Sequence, residues 1–246
     1  MDIKQARKNV IEQQVRPWGG LNVRANQALT DTPRENFVPE EYQKLVFADI
    51  EIPLNKVGKM LSPKIEGRIL DSLDLKGHEN VLEVGTGSGY FTSVLSLLSN
   101  SVISIDADKD LHALAKSKIN KLNLSNITLK HESFLTSNFE NGQFDAIVLG
   151  CALPEINKDL KKLLNLGGKL FVVVGSKNQM HATLVTRLNE NEWNSKSLFE
   201  THLDIMRGFE PSLNTRTAGR RPIICYYKQA HQNFIPLFPV LNSEIL

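Results

Sequence analysis

The 246-residue sequence has few cysteines, little net charge and no long apolar run. Its two cysteines, Cys151 and Cys225, are too few for a disulfide framework or a cysteine-based metal cluster. The formal net charge of +2 gives no global attraction to nucleic acid or to an anionic membrane surface. No apolar stretch approaches the roughly 20 residues of a transmembrane helix, and the polar opening MDIKQARKNV is unlike a signal peptide. We therefore predict a soluble cytoplasmic protein, without nucleic-acid partners or membrane association.

The six histidines are scattered along the chain and show none of the close spacing of metal ligands, so we predict no metal site. The hydrophobic content of 41% and the charged content of 23% are those of a globular protein. The length suits one large core, or one core with an appended piece.

The first 60 residues predict helical and extended pieces that pack on a core. Apolar residues at helical spacing indicate a helix over residues 2–16 that ends before Pro17. Residues 21–32 lack the alternation of a strand, so we predict a second helix there. Prolines then divide the chain into short pieces up to Ser62. Ser62 followed by Pro63 is typical of a helix start, with Ser62 as the N-cap.

From residue 80 onward, short apolar strands alternate with helices. This alternation predicts a parallel sheet covered on both faces, that is, an α/β doubly wound, Rossmann-like fold. The strands are expected at residues 81–84, 101–106, about 126–132, 144–150 and 169–175.

After about residue 205 the secondary-structure signal fades. Residues 211–243 contain no Asp or Glu but four basic residues, a composition compatible with a nucleic-acid contact or, as we favour, with a solvated tail. The segment IICYY and the proline-containing FIPLFPVL are candidate edge strands. We therefore divide the chain into an N-terminal segment (1–60), a core (61–204) and a C-terminal extension of unclear role (205–246).

The stretch VLEVGTGSGYF, residues 81–91, joins the first core strand to a helix through alternating glycines. Such a turn permits positive φ and close backbone approach, and the helix N-terminus presents unpaired amides. The dinucleotide fingerprint requires a small third residue where this chain has Tyr90, and the Gly-Lys-Ser/Thr ending of a phosphate-binding loop is absent. The turn therefore predicts a ligand other than a dinucleotide or a phosphate.

Two acids accompany the turn. Asp106 ends the next strand, about 20 residues after the first glycine, where an acid takes the hydroxyls of a ribose. Glu83 precedes the turn and is expected near a cationic ammonium. A ribose without a pyrophosphate, joined to an amino-acid end, describes S-adenosyl-L-methionine. A turn that serves tight packing alone is the alternative.

VLEVGTGSGY resembles the first motif of the protein-L-isoaspartate O-methyltransferase family. Three further regions agree in order: TPRENFVP with FADIEIPL, then GCALPEI, then LGGKLFVVVG. The resemblance covers roughly residues 5–200. It implies a Rossmann-like methyltransferase core that methylates isoaspartyl side chains in damaged proteins and peptides.

The resemblance also implies site residues. The turn residues are expected to wrap the cofactor: Gly85, Thr86, Gly87, Ser88 and Gly89. Asp106 is expected to bind the ribose. Where the family has a Ser-Gln-Pro segment with the serine at the reaction centre, this chain has Leu61-Ser62-Pro63. Where the family tends to have Gly-Asp-Gly, with the acid at the adenine, it has Glu132-Ser133-Phe134. Ser62 is thus the catalytic candidate and Glu132 the adenine candidate.

Three functions follow from these residues: isoaspartyl O-methylation, methylation of another acceptor on the same fold, and cofactor binding without catalysis. An ionised carboxylate needs no general base to accept a methyl group, so the lack of a visible triad does not weigh against catalysis. Orientation is the main task for such a protein. A hydroxyl donor such as Ser62 would aim the carboxylate.

Overall fold

The computed structural model describes residues 2–176 and 178–209. The predictions for the basic residues and edge strands of the C-terminal extension lie outside these residues. The division of the chain at residues 60 and 204 stays a prediction. None of the helices in the described part combines the length and apolarity needed to cross a membrane.

The helices of the described residues agree with the sequence periodicity. The predicted helix over residues 2–16 begins as an α-helix and continues as a π-helical turn, Ile11–Val15. The helical backbone then continues through a short 3-10 turn, Arg16–Trp18, which contains Pro17, whereas the sequence predicted an end before this proline. The α-helices are α1 (Ile3–Val10), α2 (Val23–Asp31), α3 (Pro63–Leu73), α4 (Tyr90–Leu98), α5 (Lys109–Ile119) and α6 (Lys158–Lys162).

The strands of the described residues are β1 (Ile52–Pro53), β2 (Lys59–Met60), β3 (Asn80–Val84), β4 (Ser101–Asp106), β5 (Ile127–His131), β6 (Phe144–Leu153), β7 (Leu164–Ser176), β8 (Gln179–Asn189) and β9 (Glu192–Glu200). Seven of them form one sheet in the order β5-β4-β3-β6-β7-β8-β9, and β1 and β2 form a small separate hairpin. The strands β5, β4, β3, β6 and β7 are mutually parallel, whereas β8 and β9 are antiparallel additions. The predicted α/β fold with a mostly parallel sheet is confirmed.

Alternate residues of the central strands enter two different apolar clusters. Val81 and Val148 pack on one face with the buried residues of α1 to α4, while Leu82 and Leu149 pack on the other face with α6. A strand sends successive side chains to opposite sides, so this division places covering elements on both faces. Glu83 shares the face of Val81 and therefore points beneath α4.

The N-terminal segment and the sheet share one apolar cluster. Val15, Leu29 and Phe37 are buried together with Leu95 of α4 and Phe171 of β7. Phe37 is in contact with the Tyr90 ring, edge to face, at 5.5 Å between centroids. Trp18, by contrast, is exposed. Burial of these apolar side chains is what attaches the first 60 residues to the sheet.

The start of α3 differs from the expectation in one respect. Ser62 occupies the N-cap position, but its side chain makes no capping hydrogen bond. The Lys64 N–H instead donates to Asp49 Oδ1 at 2.8 Å. The prediction that Ser62 caps the helix through its hydroxyl is therefore wrong, because a carboxylate from a preceding loop already accepts from the first turn.

The antiparallel strands β8 and β9 were not predicted. β9 is mostly exposed and carries no clear alternation of apolar and polar residues. It forms through its pairing with β8, which in turn pairs along most of β7. Strand formation here depends on the partner, which local sequence does not encode.

Gly67 of α3 allows a close approach between this helix and the π-helical turn. A Cβ atom at position 67 would overlap Cγ1 of Val15, a buried, β-branched side chain. Alanine usually stabilises a helix by about 1 kcal/mol relative to glycine. We predict the opposite for Gly67→Ala: a loss of about 1–3 kcal/mol in the free energy of urea unfolding, because the core is overpacked.

The pair Gly67→Ala and Val15→Ala provides the control for this prediction. Val15→Ala removes the atoms that the new methyl group would strike, so the double variant should be less destabilised than the sum of the two single variants. Additive effects would contradict a steric origin.

Candidate functional site

The reversal of strand order places a cleft between the ends of β3 and β6. From β3 the chain adds β4 and β5 on one side and then returns to place β6 on the other side. Ligand sites of open α/β sheets lie outside the carboxyl ends of the strands at such a reversal. Here Gly150 of β6 faces the turn that follows β3: a Cβ at Gly150 would lie 3.4 Å from the carbonyl oxygens of both Val84 and Gly85.

The glycine turn depends on backbone conformations that favour glycine. Gly85, Gly87 and Gly89 have φ values of 97°, 56° and 83°. A Cβ at Gly87 would lie 3.4 Å from Leu54 Cδ1, so a side chain there would fill the space in front of the turn. A Cβ at Gly89 would meet Ile119 Cδ1 at 2.9 Å, so this glycine allows the turn to pack on α5.

Asp106, the last residue of β4, is held by two backbone amides. Its Oδ2 accepts from the Gly87 N–H and its Oδ1 accepts from the Asp108 N–H, both at 2.9 Å. Burial raises the pKa of Asp106, and these hydrogen bonds oppose that shift. A carboxylate has about four lone-pair sites, so both oxygens keep accepting capacity for a ligand hydroxyl.

Two adjoining cavities lie at this end of the sheet. The main cleft, of about 1020 Å³ including its open mouth, is lined by residues that include Gly85, Gly87, Asp106, Glu132, Phe134 and Cys151. The inner recess, of about 410 Å³, is lined by residues that include Glu66, Glu83, Thr86, Ser88 and Tyr90. Lys59, Leu61, Gly85, Gly87 and Gly150 line both. Burial raises the pKa of the Cys151 thiol to about 12, so it stays protonated at neutral pH.

Glu83 belongs to a buried hydroxyl network under the glycine turn. The Ser104 hydroxyl donates to Glu83 Oε2 at 2.6 Å, and the Thr92 hydroxyl donates to the same oxygen. The Thr86 hydroxyl is 2.6 Å from Ser104 Oγ, so the Thr86 side chain is also part of this network. Burial raises the pKa of Glu83 to about 7, and the two hydroxyl donors only partly offset the cost of desolvation.

The segment before α3 contributes Leu61 rather than Ser62 to the cavities. Leu61 lines both the main cleft and the inner recess, whereas Ser62 is absent from the lining of either. The Leu61 carbonyl accepts from Arg34 Nη2 at 2.6 Å. Arg34 Nη1 in turn donates to Glu66 Oε2 at 2.6 Å. Burial raises the pKa of Glu66 to about 7 although Arg34 lies beside it.

The cavities thus bring together most of the residues predicted from the sequence. Glu83, Gly85, Thr86, Gly87, Ser88, Asp106 and Glu132 all line one cavity or both, while Gly89 and Ser62 line neither. Glu132 directly follows β5, and its N–H donates to the Asp106 carbonyl at 3.0 Å.

Sequence reasoning missed the chain segment after β9. The Ala152 N–H donates to the Asp204 carbonyl at 2.9 Å, and the Met206 N–H donates to the Ala152 carbonyl at 2.8 Å. Residues 203–207 therefore lie beside the end of β6 and line the main cleft. Lys59 Nζ, across the cleft, is 2.8 Å from Asp204 Oδ2. No local motif marks this segment, because its place follows from long-range pairing.

Comparison with known proteins identifies the family. The family description "Protein-L-isoaspartate(D-aspartate) O-methyltransferase (PCMT)" matches residues 6–203. This chain belongs to that family. The resemblance stated from the glycine turn and the three other regions is therefore confirmed.

Curated relatives carry the same family name. The protein-L-isoaspartate O-methyltransferase of Syntrophus aciditrophicus is 33% identical over 188 residues, 76% of this chain and 86% of that protein. The protein-L-isoaspartate O-methyltransferase 2 of Marinobacter nauticus is 30% identical over 80% of this chain and 90% of that protein.

Solved structures share the fold. A protein from Plasmodium falciparum, described as a protein-L-isoaspartate O-methyltransferase and crystallised with S-adenosyl-L-homocysteine, has a TM-score of 0.70 at 20% identity; the match covers 84% of this chain and 99% of that one. A structure of a second protein-L-isoaspartate O-methyltransferase has a TM-score of 0.71 at 19% identity, covering 82% and 65% of the two chains.

The residues present fit an adenosyl sulfonium cofactor. Gly87 and Gly150 line both cavities, and a Cβ atom at either position would lie 3.4 Å from a neighbouring atom. Asp106, with accepting capacity left on both oxygens, lines the main cleft, and Glu83 lines the inner recess. Carboxylates are hydrogen-bond acceptors, which suits the hydroxyl and ammonium groups of such a cofactor. Among the described residues no three His, Cys, Asp or Glu side chains are grouped as metal ligands.

The raised pKa of Glu83 predicts a specific pH dependence of stability. The folded state holds the proton up to a pH of about 7, whereas the unfolded chain releases it near 4.5. Glu83 therefore stabilises the fold below about pH 4.5, and this contribution is lost as the pH rises towards 7. The loss is on the order of 3 kcal/mol at most.

We expect the Glu83→Gln variant not to show this pH-dependent loss of stability, because glutamine does not titrate. From pH 5 to pH 8, the wild-type midpoint of urea unfolding should fall relative to that of Glu83→Gln. Glu140→Gln, at an exposed position, is the matched control and should follow the wild type. A constant difference between Glu83→Gln and the wild type at both pH values would contradict the assignment.

Proposed function

We propose that this protein transfers a methyl group from S-adenosyl-L-methionine to the carboxylate of L-isoaspartyl residues in damaged cytoplasmic proteins. The observation that carries the proposal is the glycine turn with Asp106 at the strand reversal, in a chain that belongs to the isoaspartyl methyltransferase family. The bound cofactor supplies an activated methyl group on a sulfonium. The residues of the chain bind the cofactor and the acceptor and orient them for the reaction.

The proposed cofactor contacts follow the two cavities. The turn Gly85-Thr86-Gly87-Ser88-Gly89 holds the cofactor through its backbone, and Asp106 accepts from the ribose hydroxyls. Glu132 lines the main cleft and is assigned to the adenine. Both hydroxyl bonds of Glu83 end on Oε2, so Oε1 is the oxygen assigned to the ammonium group.

The proposed acceptor is a carboxylate that is already ionised at neutral pH, so the chain has to aim it rather than deprotonate it. Ser62 is our candidate donor for this task. Its hydroxyl is not used in capping α3, since Asp49 accepts from that turn, and it adjoins Leu61 at the cavity wall. A hydrogen bond from Ser62 would hold one carboxylate oxygen and leave the other to react.

One observation favours a second candidate function, methylation of a different acceptor. Where the family segment has Ser-Gln-Pro before its helix, the residues that reach the cavities are apolar: Met60 lines the inner recess and Leu61 lines both, next to Lys59, which also lines both. An apolar wall at this place suits an acceptor other than a carboxylate. Cofactor binding without catalysis is the third possibility to be tested.

Methyl transfer to peptides separates these functions. The protein is incubated with methyl-labelled S-adenosyl-L-methionine and an isoaspartyl peptide, and the same peptide with ordinary aspartate is the control. Base-labile label on the isoaspartyl peptide alone is the expected result. Label on other cell components would support the second function. Cofactor binding by calorimetry, without label on any acceptor, would support the third.

We predict that Ser62→Ala lowers the turnover number on the isoaspartyl peptide by about 10- to 100-fold, because the carboxylate is no longer aimed. The dissociation constant for S-adenosyl-L-homocysteine should stay within about threefold of the wild-type value. Ser72→Ala, on the far end of α3, is the control. Unchanged turnover in Ser62→Ala would remove Ser62 from the mechanism.

A further inference from the structure

Arg34 is a buried arginine outside the residues assigned to the cofactor or the acceptor. Its side chain is 5% exposed, and it lies in the short 3-10 turn Arg34–Asn36 of the N-terminal segment. Arginine is rarely buried this deeply unless it is paired. Its partners therefore indicate what it does.

The guanidinium joins three separate walls of the inner recess. Nη2 donates to the Leu61 carbonyl and Nη1 donates to Glu66 of α3, both at 2.6 Å. The guanidinium carbon lies 5.0 Å from the ring centroid of Tyr90, the first residue of α4 after the glycine turn. Leu61, Glu66 and Tyr90 all line the inner recess. One planar group thus connects the segment before α3, α3 itself and the start of α4.

A buried ion pair of this kind is not in general a means of gaining stability. Desolvation of a buried ion pair offsets most of its attraction, and well-packed apolar residues are often equally stabilising. The Arg34 Nε atom is buried and makes no hydrogen bond, which adds a further cost. A planar guanidinium with several hydrogen bonds fixes the positions of its partners relative to one another, which an apolar side chain does not do.

We propose that Arg34 is a positioning residue for methyl transfer: through the Leu61 carbonyl it fixes the acceptor-side segment, Met60–Ser62, relative to the glycine turn. This inference rests on the proposed function. Arg34 does not line either cavity and acts through Leu61, Glu66 and Tyr90. Glu66 serves to hold the guanidinium in place.

The double variant Arg34→Met/Glu66→Met tests the proposal. Removal of one partner alone would leave a buried unpaired charge and endanger folding, whereas replacing both by apolar side chains avoids it. We expect a melting temperature within a few degrees of the wild type and a dissociation constant for S-adenosyl-L-homocysteine within about threefold. The turnover number on the isoaspartyl peptide should fall about 10- to 100-fold, because a misplacement near 1 Å costs about that much.

The pair Arg7 and Glu35 is the matched control. Arg7 forms an ion pair with Glu35 and donates to a backbone carbonyl, that of Thr30 at 3.0 Å. The Arg7–Glu35 pair thus makes the same kinds of contact as the Arg34–Glu66 pair, and both arginines belong to the N-terminal segment. Neither Arg7 nor Glu35 lines the main cleft or the inner recess. Arg7→Met/Glu35→Met should leave the turnover number unchanged.

Amide hydrogen exchange provides a readout that needs no activity. In the Arg34→Met/Glu66→Met variant, peptides covering residues 57–66 should exchange faster than in the wild type, while those of β3 and β4 should not change. Wild-type turnover in that variant, or unchanged exchange of residues 57–66, would overturn the positioning role. A wild-type protein that methylates no isoaspartyl peptide would instead refute the proposed function. The exchange result would still show whether Arg34 fixes the position of residues 57–66.

Discussion

The close approach of two backbones at the sheet reversal is the constraint on which the rest of the site depends. Gly85 follows β3 and Gly150 lies in β6, and a Cβ at Gly150 would stand within 3.4 Å of the Gly85 carbonyl oxygen. Without side chains at these positions, the two parallel strands end in an open cleft rather than in packed core. Asp106 from β4 then reaches the turn itself, since its carboxylate accepts from the Gly87 amide.

Two buried carboxylates, Glu83 and Glu66, line the inner recess rather than the main cleft. Glu83 is held by hydroxyls beneath the turn, and the Arg34–Glu66 pair lies behind the acceptor-side segment. Both are on the face of the sheet that α1 to α4 and the N-terminal segment cover. The first 60 residues thus do more than cover apolar surface, because they supply the cation that connects α3 to the start of α4.

The elements that sequence reasoning predicted are those whose signal is local. The apolar strands β3, β4, β6 and β7 and the glycine turn each carry their pattern within a few residues, and the structure has them at the predicted places, except that β7 already begins at Leu164. The start of α3 is instructive, since Ser62-Pro63 correctly located the helix but not its cap: the accepting carboxylate, Asp49, comes from a loop 15 residues away along the chain. For the same reason β9 was missed, as its exposed residues form a strand only against β8.

The sequence by itself determined the fold class, the family and the position of the glycine turn, because the periods of apolar residues and the freedom of glycine are properties of short stretches. Only the tertiary structure decided which side chains meet around the turn. It brought Leu61 rather than Ser62 to the cavity wall, Arg34 behind it, and residues 203–207 to the mouth. These contacts join positions far apart along the chain, and only packing of the whole core brings them together.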